Sequence, residues 1–234
     1  MKTFLIVGAS SGIGLALAQT LHQEGNKVIT VARRTNETLT SLDIQQILAD
    51  TSKPLENLTE HLPEIIDGIV YCPGTINLKP FHRLSEEEIL YDFQVNVMGA
   101  VRVLQAVFPA LKKAQSASVL LFSTVASHLG MGFHASVALA KSGVEGLAKS
   151  LAAEWAINKI RVNVIAPSLT DTPLASKLLN TDEKKEASNK RHPLGRVGNV
   201  DDIVPMVSLL LSAKSDWITG QVIGIDGGMG SLKP

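Results

Sequence analysis

The sequence predicts a single α/β domain in which helices cover both faces of a doubly wound parallel sheet. Short apolar runs alternate with longer helical stretches along the 234 residues, and this alternation is typical of parallel strands joined by crossover helices. Most runs are continuously apolar rather than alternating, as expected for strands buried on both faces. The length suits one domain, 1–234, and no repeat or linker divides it.

The first half of the chain contains four predicted strands. The first strand stops at Gly8, and a helix begins directly after the glycine-rich turn that follows. The connection from Ala32 to Asp43 has barely enough room for a crossover helix, because such connections need at least about ten to twelve residues. The predicted strands are Thr3–Val7, Lys27–Val31, Ile44–Ala49 and Gly68–Cys72, and the predicted helices lie near 12–24 and 54–61.

The second half begins with a long helix near 85–114. Ser85 followed by Glu88 forms a capping-box pattern at its start, and Pro109 is expected to bend or end its last turn. The polar stretch Asn180–Arg191 is interpreted as part of a substrate flap near 170–191 or as a solvated helix. The remaining predicted strands are Ser118–Phe122, Arg161–Ile165 and Val222–Ile225, and the remaining helices lie near 134–157, 173–189 and 200–212.

The composition argues against several classes of partner. Lys and Arg together number 22, as do Asp and Glu, and no basic stripe indicates nucleic-acid binding. The single cysteine, Cys72, excludes an internal disulfide and suits a reducing compartment. We see neither a signal-peptide pattern nor an apolar run of membrane-spanning length. We therefore expect a soluble cytoplasmic protein that acts on a small molecule and contacts neither nucleic acid nor membrane.

A glycine-rich turn between the first strand and the first helix predicts a dinucleotide site. In such turns glycines permit a tight bend, close approach of the backbone to phosphate and tight helix packing. The helix that follows offers unpaired N–H groups and the positive end of its dipole to a pyrophosphate. The alternative is an ordinary strand–helix turn of small residues. The candidate contacts are Gly8, Ser10, Ser11, Gly12, Ile13 and Gly14.

The residues after the second and third predicted strands bear on the choice of dinucleotide. An NAD site usually shows an acidic residue for the ribose 2′-hydroxyl, but this chain has Arg33 and Arg34 there. Two guanidinium groups would hold a 2′-phosphate, which favours NADP(H) over NAD(H). Alternatively, they belong to a solvated basic turn. Asp50 is a candidate for the adenine amino group or, equally well, a capping acid near Lys53.

Five stretches of the chain form a further pattern. They are the glycine turn, Asn96 within Val95–Val97, Ser123-Thr124, Lys141, and Ile165–Ser168 with Thr172-Pro173. Together they resemble the short-chain dehydrogenase/reductase family over nearly the whole chain. The tail, from Ile218 to Gly228, is similar to the members that resemble 3-oxoacyl-carrier-protein reductases. The resemblance implies a Rossmann sheet of about seven strands and a homo-oligomer, a dimer or tetramer.

The family's active site combines Asn, Ser, Tyr and Lys, and this chain matches it only in part. The resemblance makes Asn96 the Asn that holds a helix kink and a water, and Lys141 the Lys that binds the nicotinamide ribose. Thr124 takes the place of Ser and keeps a hydroxyl that can orient a carbonyl. Val137 stands where the Tyr is expected, four residues before Lys141, and has no proton to give. Further cofactor contacts implied by the resemblance are Gly74, Lys141, Pro167 and Thr172.

Two further departures accompany the loss of the tyrosine. Tyr71-Cys72-Pro73-Gly74 replaces the usual Asn-Asn-Ala-Gly, and Ser168 replaces a usual Gly beside the nicotinamide. His192, within His192–Arg196, lies in a segment that resembles the one after the family's flap and is interpreted as packing.

The missing proton donor leaves several alternatives. His134 lies seven residues before Lys141, two turns along a helix and therefore on a similar face. A histidine at this place could donate a proton, or it could be a polar residue at the helix start. His128 in the following loop could reach a substrate but is more simply an exposed loop residue. Solvent water is the remaining source.

Two functions of different classes fit these residues. The first is an NADP(H)-dependent oxidoreductase that transfers hydride to a carbonyl or an activated alkene with a non-standard proton donor. The second is a catalytically silent NADP-binding regulator or assembly subunit, which the loss of the tyrosine would favour. No group of His, Cys, Asp and Glu has metal-ligand spacing, so neither function is expected to need a metal.

Overall fold

The computed structural model describes residues 1–233 and contains one seven-stranded parallel sheet. The continuous apolar runs form its strands, and every strand pair is parallel. The strands are β1 (Thr3–Val7), β2 (Lys27–Ala32), β3 (Gln45–Leu48), β4 (Gly68–Tyr71), β5 (Ala117–Phe122), β6 (Ile160–Pro167) and β7 (Val222–Ile225). The predicted fold class and strand positions are therefore confirmed.

Within residues 1–233, seven α-helices connect the strands. The short connection between β2 and β3 holds a helix of five residues, which Asn36 caps through its side chain. The capping box predicted at Ser85 and Glu88 is present. The helices are α1 (Gly12–Gln23), α2 (Glu37–Ser41), α3 (Glu86–Phe93), α4 (Gly99–Lys113), α5 (Ala135–Trp155), α6 (Asp182–Asn189) and α7 (Val200–Leu211).

The strand order places the ligand-binding edge of the sheet. The order is β3-β2-β1-β4-β5-β6-β7, so the direction of winding reverses between β1 and β4. In open parallel sheets, ligands bind beyond the carboxyl ends of the strands at such a reversal. The turn after β1, the residues after β4 and the ends of β5 and β6 therefore meet in one region.

The core consists of two apolar layers, one on each face of the sheet. On one face, α4 and α5 pack their buried residues, such as Val107 and Val144, against the sheet. On the other face, α1 and α7 do the same with residues such as Leu17 and Val207. Burial of this apolar area is the main force that holds the sheet edge in place.

Three predicted helices were wrong in detail. Only a 3₁₀ helix, Leu58–His61, forms within the predicted helix near 54–61. The helix near 85–114 is interrupted by a π-helical segment, Gln94–Met98. The helix near 173–189 is split into a 3₁₀ helix, Pro173–Leu178, and α6.

Pro109 does not end the helix in which it lies. The helix α4 continues to Lys113 with Pro109 in its interior. It therefore tolerates the loss of the one backbone hydrogen bond that proline cannot donate.

The continuous stretch Glu86–Lys113 is long and apolar enough, by length and composition only, to cross a membrane. In this fold 44% of its most apolar window is buried, and α4 packs against the sheet. A core helix of an α/β domain meets the same two criteria, so this stretch is weak evidence for a membrane span.

Candidate active site

Two adjoining cavities lie at the carboxyl edge of the sheet. The first, of about 350 Å³, is lined by the turn after β1 and by the residues after β2 and β3, and we call it the glycine-turn cavity. The second, of about 580 Å³, is lined by the ends of β5 and β6, by α5 and by the flap, and we call it the Lys141 cavity. Both are lined by Ile13, Cys72, Gly74, Thr75, Thr172 and Leu174.

The glycine turn has the geometry that close approach to a phosphate needs. The backbone of Gly8 has φ +84°, a conformation that residues with an L side chain rarely adopt. Its N–H donates a hydrogen bond of 2.7 Å to the carbonyl oxygen of Val31. A Cβ at Gly14 would lie 2.5 Å from the carbonyl oxygen of Gly8, so only glycine permits this packing of α1 on β1. The residues predicted here, Gly8, Ser10, Ser11, Gly12, Ile13 and Gly14, all line the glycine-turn cavity.

The first turn of α1 keeps its backbone donors available. Ser11, at the N-cap, makes no side-chain capping bond, so the first N–H groups of the helix point to the cavity without that partner. Asn36 supports the turn from outside, since its Nδ2 donates to the carbonyl oxygen of Ser10 at 3.2 Å. Sequence reasoning did not identify Asn36, because this bond joins residues of separate connections.

Arg33 and Arg34 both line the glycine-turn cavity and are exposed. Within residues 1–233 neither guanidinium has a hydrogen-bond or ion-pair partner in the protein, so both remain available to an anion. Asp50 lines the same cavity, and its Oδ1 accepts bonds from the backbone N–H and the hydroxyl of Ser52 at 3.0 and 2.7 Å. The hydroxyl of Ser52 is the largest influence that lowers the pKa of Asp50, with Arg33 adding to it.

Asp50 therefore caps a turn at Ser52, and among the described residues no helix begins near Lys53 for it to cap, as one of its two interpretations had expected. Its position at the cavity wall leaves the adenine contact open as well.

Lys141 and Asn96 meet beside Gly74, where the two cavities join. A Cβ at Gly74 would lie 3.3 Å from Lys141 Nζ and 3.4 Å from Asn96 Oδ1. Lys141 Nζ donates to the carbonyl oxygen of Phe122 at 2.8 Å. Burial lowers the pKa of this ammonium to about 8, against the opposing influence of Cys72 and Asp92.

Asn96 occupies the π-helical segment and is buried. Its Nδ2 donates to the carbonyl oxygen of Asp92 at 2.7 Å and to Thr75 Oγ1 at 2.9 Å. Its Oδ1 is buried without a protein partner among the described residues. Asn96 does not line the Lys141 cavity itself, so it acts from behind Gly74, at the irregular segment that the resemblance implied.

The tyrosine in β4 ties three segments together. Tyr71 is buried, its hydroxyl donates to the carbonyl oxygen of Val95 at 2.7 Å, and Thr51 Oγ1 lies 3.0 Å away. Burial is the main cause that raises the pKa of Tyr71. The phenol thus joins β4 to the loop after β3 and to the π-helical segment.

The place of the missing acid faces the Lys141 cavity. Val137 lines the cavity, as do Thr124 and His134. Thr124 Oγ1 accepts a long bond from the N–H of Ala126 at 3.3 Å, so its own hydrogen remains available. His134 Nδ1 lies 2.7 Å from the carbonyl oxygen of Gly132. Because a carbonyl only accepts, Nδ1 carries the proton and Nε2 is left to the cavity.

A serine–histidine pair forms another wall of the Lys141 cavity. His192 and Ser168 are both buried, and His192 Nε2 lies 2.9 Å from Ser168 Oγ. His192 Nδ1 lies 2.8 Å from the carbonyl oxygen of Ser188 and is therefore the donor there. In the neutral imidazole, Nε2 then accepts the hydroxyl hydrogen of Ser168. Pro167, at the end of β6, and Thr172 line the cavity beside them.

The flap predicted near 170–191 is closed at its base. Thr170 pairs with Gly198 in an isolated parallel bridge, and the N–H of Asp171 bonds the carbonyl oxygen of Gly198 at 2.8 Å. The N–H of Val197 bonds Asn189 Oδ1 at 2.9 Å. Both ends of the flap are thus tied to one point beside β6.

Comparison with known proteins identifies the family. A family model described as Enoyl-(Acyl carrier protein) reductase matches residues 8–230. The chain belongs to the short-chain dehydrogenase/reductase family.

Among relatives in this family, a tropinone reductase homologue of Arabidopsis thaliana is 33% identical over 239 residues, covering 96% of this chain and 91% of the relative. A 3-oxoacyl-[acyl-carrier-protein] reductase of Thermotoga maritima is 33% identical over 242 residues, covering 97% of each. A solved structure of a putative 2-deoxy-D-gluconate 3-dehydrogenase of Agrobacterium tumefaciens with bound NADP superposes with a TM-score of 0.90. It is 29% identical and covers 99% of this chain and 97% of that one.

Comparison with the short-chain dehydrogenase/reductase pattern shows at which residues this chain differs from it. The glycine turn lines the glycine-turn cavity, whereas Val137 and the Ser168–His192 pair line the Lys141 cavity. The sequence interpretation of His192 as packing missed this contact. The available signal was the conjunction of a serine after Pro167 and a histidine before Pro193, 24 residues apart.

Proposed function

We propose that the protein is an NADP(H)-dependent oxidoreductase that transfers hydride to a carbonyl or an activated alkene and uses a non-standard proton donor. The observation that carries the proposal is the continuity of the two cavities at Gly74. The glycine-turn cavity offers donors for phosphate, and the Lys141 cavity offers groups for a substrate.

The residues present fit the phosphorylated dinucleotide. The uncapped N-terminus of α1 suits a pyrophosphate, and Arg33 and Arg34 would hold the 2′-phosphate by charge-assisted bonds. The Agrobacterium tumefaciens relative was solved with bound NADP, which supports the same assignment. When bound, NADPH supplies hydride to the substrate carbon.

The residues of the Lys141 cavity divide the remaining tasks. Lys141 would hold the nicotinamide ribose, with Asn96 Oδ1 positioned beside it to bind a water. The hydroxyl of Thr124 would donate to the substrate oxygen and orient the reacting carbon. Correct placement of reacting groups contributes up to roughly 7–11 kcal/mol to a reaction. A general acid contributes about a hundred- to ten-thousand-fold in rate, so the loss of the tyrosine slows the reaction without abolishing it.

Three sources of the proton fit the geometry. His134 lines the cavity, and once it has taken a proton from water its imidazolium would donate that proton from Nε2 to the substrate; water itself is the second source. The third is the Ser168–His192 pair, in which a His192 imidazolium would pass a proton from Nε2 to Ser168 Oγ while the serine hydroxyl gives its own proton to the substrate. Protonation of a stabilised enolate can be left to solvent, so reduction of an alkene would need none of these side chains.

Single substitutions distinguish the sources. We expect His134→Gln or His192→Gln to lower kcat tenfold or more if that residue gives the proton, with an unchanged affinity for NADPH. Ser168→Gly, which restores the residue usual in the family, should match His192→Gln if the two act together. An unchanged kcat in all three variants would assign the proton to water.

A catalytically silent NADP-binding regulator or assembly subunit is the alternative function. Val137 favours this alternative, because a protein that only binds NADP does not need the tyrosine that donates a proton in the family's enzymes.

Binding and turnover separate the two functions. NADPH and NADH are titrated by fluorescence, and oxidation of NADPH is then followed by absorbance with panels of carbonyl and enoyl compounds. Micromolar NADPH binding with oxidation by a member of either panel supports the enzyme. Tight binding without oxidation supports the silent protein, and no binding of either dinucleotide overturns both.

A further inference from the structure

The flap helix α6 and the turn that continues it present Lys184 and Arg191 to the Lys141 cavity. Lys184, Ala187, Ser188 and Arg191 all line that cavity, at spacings of three, four and seven residues. Such spacings bring residues to one face of a helix and of the turn that continues it. Lys177, seven residues before Lys184, lines the same cavity from the 3₁₀ helix.

The acidic residues of the flap are excluded from this face. Asp182, Glu183 and Glu186 belong to α6 but do not line the Lys141 cavity. Among residues 1–233, no Asp or Glu at all lines it, whereas Lys141, Lys177, Lys184 and Arg191 do. In a helix with no role beyond contact with solvent, acidic residues would be as free as basic ones to line the cavity.

Within residues 1–233, Lys184 and Arg191 have no carboxylate partner. Lys184 Nζ contacts the amide oxygen of Asn180 at 2.9 Å and a carbonyl oxygen of the backbone at 3.3 Å. Arg191 Nη2 donates to the hydroxyl of Ser188 at 3.0 Å. These partners are all uncharged, so the positive charge at the mouth of the cavity is uncompensated.

The lysines on the other faces of the flap behave differently. Lys185 lies 3.8 Å from the carboxylate of Asp171, and Lys190 lies 2.7 Å from that of Glu186. Neither lines the cavity. Within residues 1–233, the flap therefore holds two lysines that are paired with carboxylates and do not line the cavity, and three cations, Lys177, Lys184 and Arg191, that line it without a carboxylate partner.

The rest of the cavity wall is mainly apolar. Aliphatic and thioether side chains provide it, and they are suited to a hydrocarbon portion of a substrate. They include Ile76, Leu78, Met131, Leu178 and Met229.

We propose that the substrate carries an anionic oxygen group, a carboxylate or a phosphate, which Lys184 and Arg191 bind at the mouth of the Lys141 cavity with Lys177 beside them. An apolar spacer then lies along the wall, and the reacting carbonyl or alkene lies at Thr124. Arg191 forms paired hydrogen bonds to such a group, and Lys184 acts as a point charge. This inference rests on the proposed function and specifies the substrate class of the same site.

The test compares acids with their own esters. A series of straight-chain keto acids with increasing separation between ketone and carboxylate is assayed beside the matching methyl esters, and phosphate monoesters of the corresponding keto alcohols form a second arm. We expect the acid or the phosphate of one chain length to exceed its uncharged partner at least tenfold in kcat/KM. The better arm identifies the kind of anion.

Matched variants assign the preference to the flap. Lys184→Gln with Arg191→Gln should reduce the acid-to-ester ratio at least tenfold and leave the ester rate within about twofold. Lys185→Gln with Lys190→Gln removes the same charge from the same segment and should leave the ratio unchanged. An equal effect of the two double variants would mean that only net charge matters, and this would overturn the site.

A binding measurement keeps the inference separate from turnover. Calorimetric titration of the NADPH-loaded protein with the preferred acid and its ester should show tighter binding of the acid, lost in the Lys184→Gln, Arg191→Gln variant. If the acid binds in this way but no NADPH is oxidised, the anion site stands and the proposed function fails. If ester and acid bind and react equally well at every chain length, the anion site is wrong and the proposed function stands.

Discussion

Lys141 reaches from α5 to the end of β5, where its ammonium donates a hydrogen bond of 2.8 Å to the carbonyl oxygen of Phe122. The bond fixes the ammonium beside Gly74, at the junction of the two cavities. The same position removes the charge from water, which is the main cause that lowers its pKa from 10.5 to about 8. The residue therefore serves the site at the expense of stability.

Replacement of Lys141 should stabilise the fold near neutral pH. The pKa of Lys141 is about 8 in the folded protein and about 10.5 in the unfolded chain, so the unfolded chain binds more protons between these values. The burial penalty is fully present below pH 8 and is lost as pH rises toward 10.5.

Lys141→Met should thus raise the free energy of unfolding by roughly 1–3 kcal/mol at pH 7, with a smaller gain at pH 10. Urea denaturation at the two pH values measures it, with the exposed Lys149→Met as control. A gain that grows with pH would contradict the prediction.

Val137→Tyr should restore an acid to the active site. Val137 lines a cavity of about 580 Å³, so a phenol has space, and a hydroxyl four residues before Lys141 matches the family's pattern. We expect ketone reduction at neutral pH to rise at least tenfold, since general acids contribute about a hundredfold or more.

The matched control for this change is Val137→Phe, which adds the ring without the hydroxyl. Steady-state rates with NADPH compare the two variants. Equal rates for Tyr and Phe, with unaltered NADPH affinity, would mean that the cavity has been rebuilt for another reaction.

Arg33 and Arg34 should determine the preference for the phosphorylated dinucleotide. Hydrogen bonds to charged groups contribute about 1.5–3 kcal/mol each. The double variant Arg33→Ser, Arg34→Ser should therefore weaken NADPH binding by about tenfold to more than a hundredfold and leave NADH binding nearly unchanged. Fluorescence titration with both dinucleotides measures the ratio. Arg83→Ser, an exposed arginine outside the cavity, is the control, and an equal loss for NADH would disprove the assignment.

The hydroxyl of Tyr71 should contribute to stability rather than to chemistry. Tyr71→Phe leaves the carbonyl oxygen of Val95 and the hydroxyl of Thr51 without this partner, and unpaired buried groups cost about 1–3 kcal/mol each. We expect the free energy of unfolding to fall by about 1–3 kcal/mol with little change in kcat. Tyr91→Phe, at a half-exposed tyrosine of α3, should have no effect in the same denaturation experiment.

The sheet was predictable because its strands depend on local composition. Short, mostly apolar runs such as Val28–Val31 and Val119–Phe122 are typical of strands buried on both faces, and their ends were correct within a few residues. The glycine turn was predictable for a similar reason, since Gly8 and Gly14 meet steric demands set within one strand–helix unit.

The remaining features depend on contacts between distant segments. The π-helical segment around Asn96 cannot be distinguished from an α-helix by the spacing of apolar residues. In the crossover before β4, the local sequence favoured a helix near 54–61, but only the 3₁₀ helix Leu58–His61 forms. The bond between Ser168 and His192 joins β6 to the far end of the flap. The separation of Lys184 from the acidic residues of α6 depends on where this helix begins and ends. The sequence predicted one helix near 173–189, whereas the flap contains a 3₁₀ helix and α6.

The bridge between Thr170 and Gly198 has a consequence for how this scaffold can diversify. Because the two ends of the intervening segment meet at one point beside β6, its length and composition can change without shifting the register of β6 or the start of α7. Loop-closure entropy rises only slowly with length, so insertions there should be tolerated. We therefore expect that residues 171–197 can be exchanged as a unit. The lining of the Lys141 cavity would then change while the glycine-turn cavity stays the same.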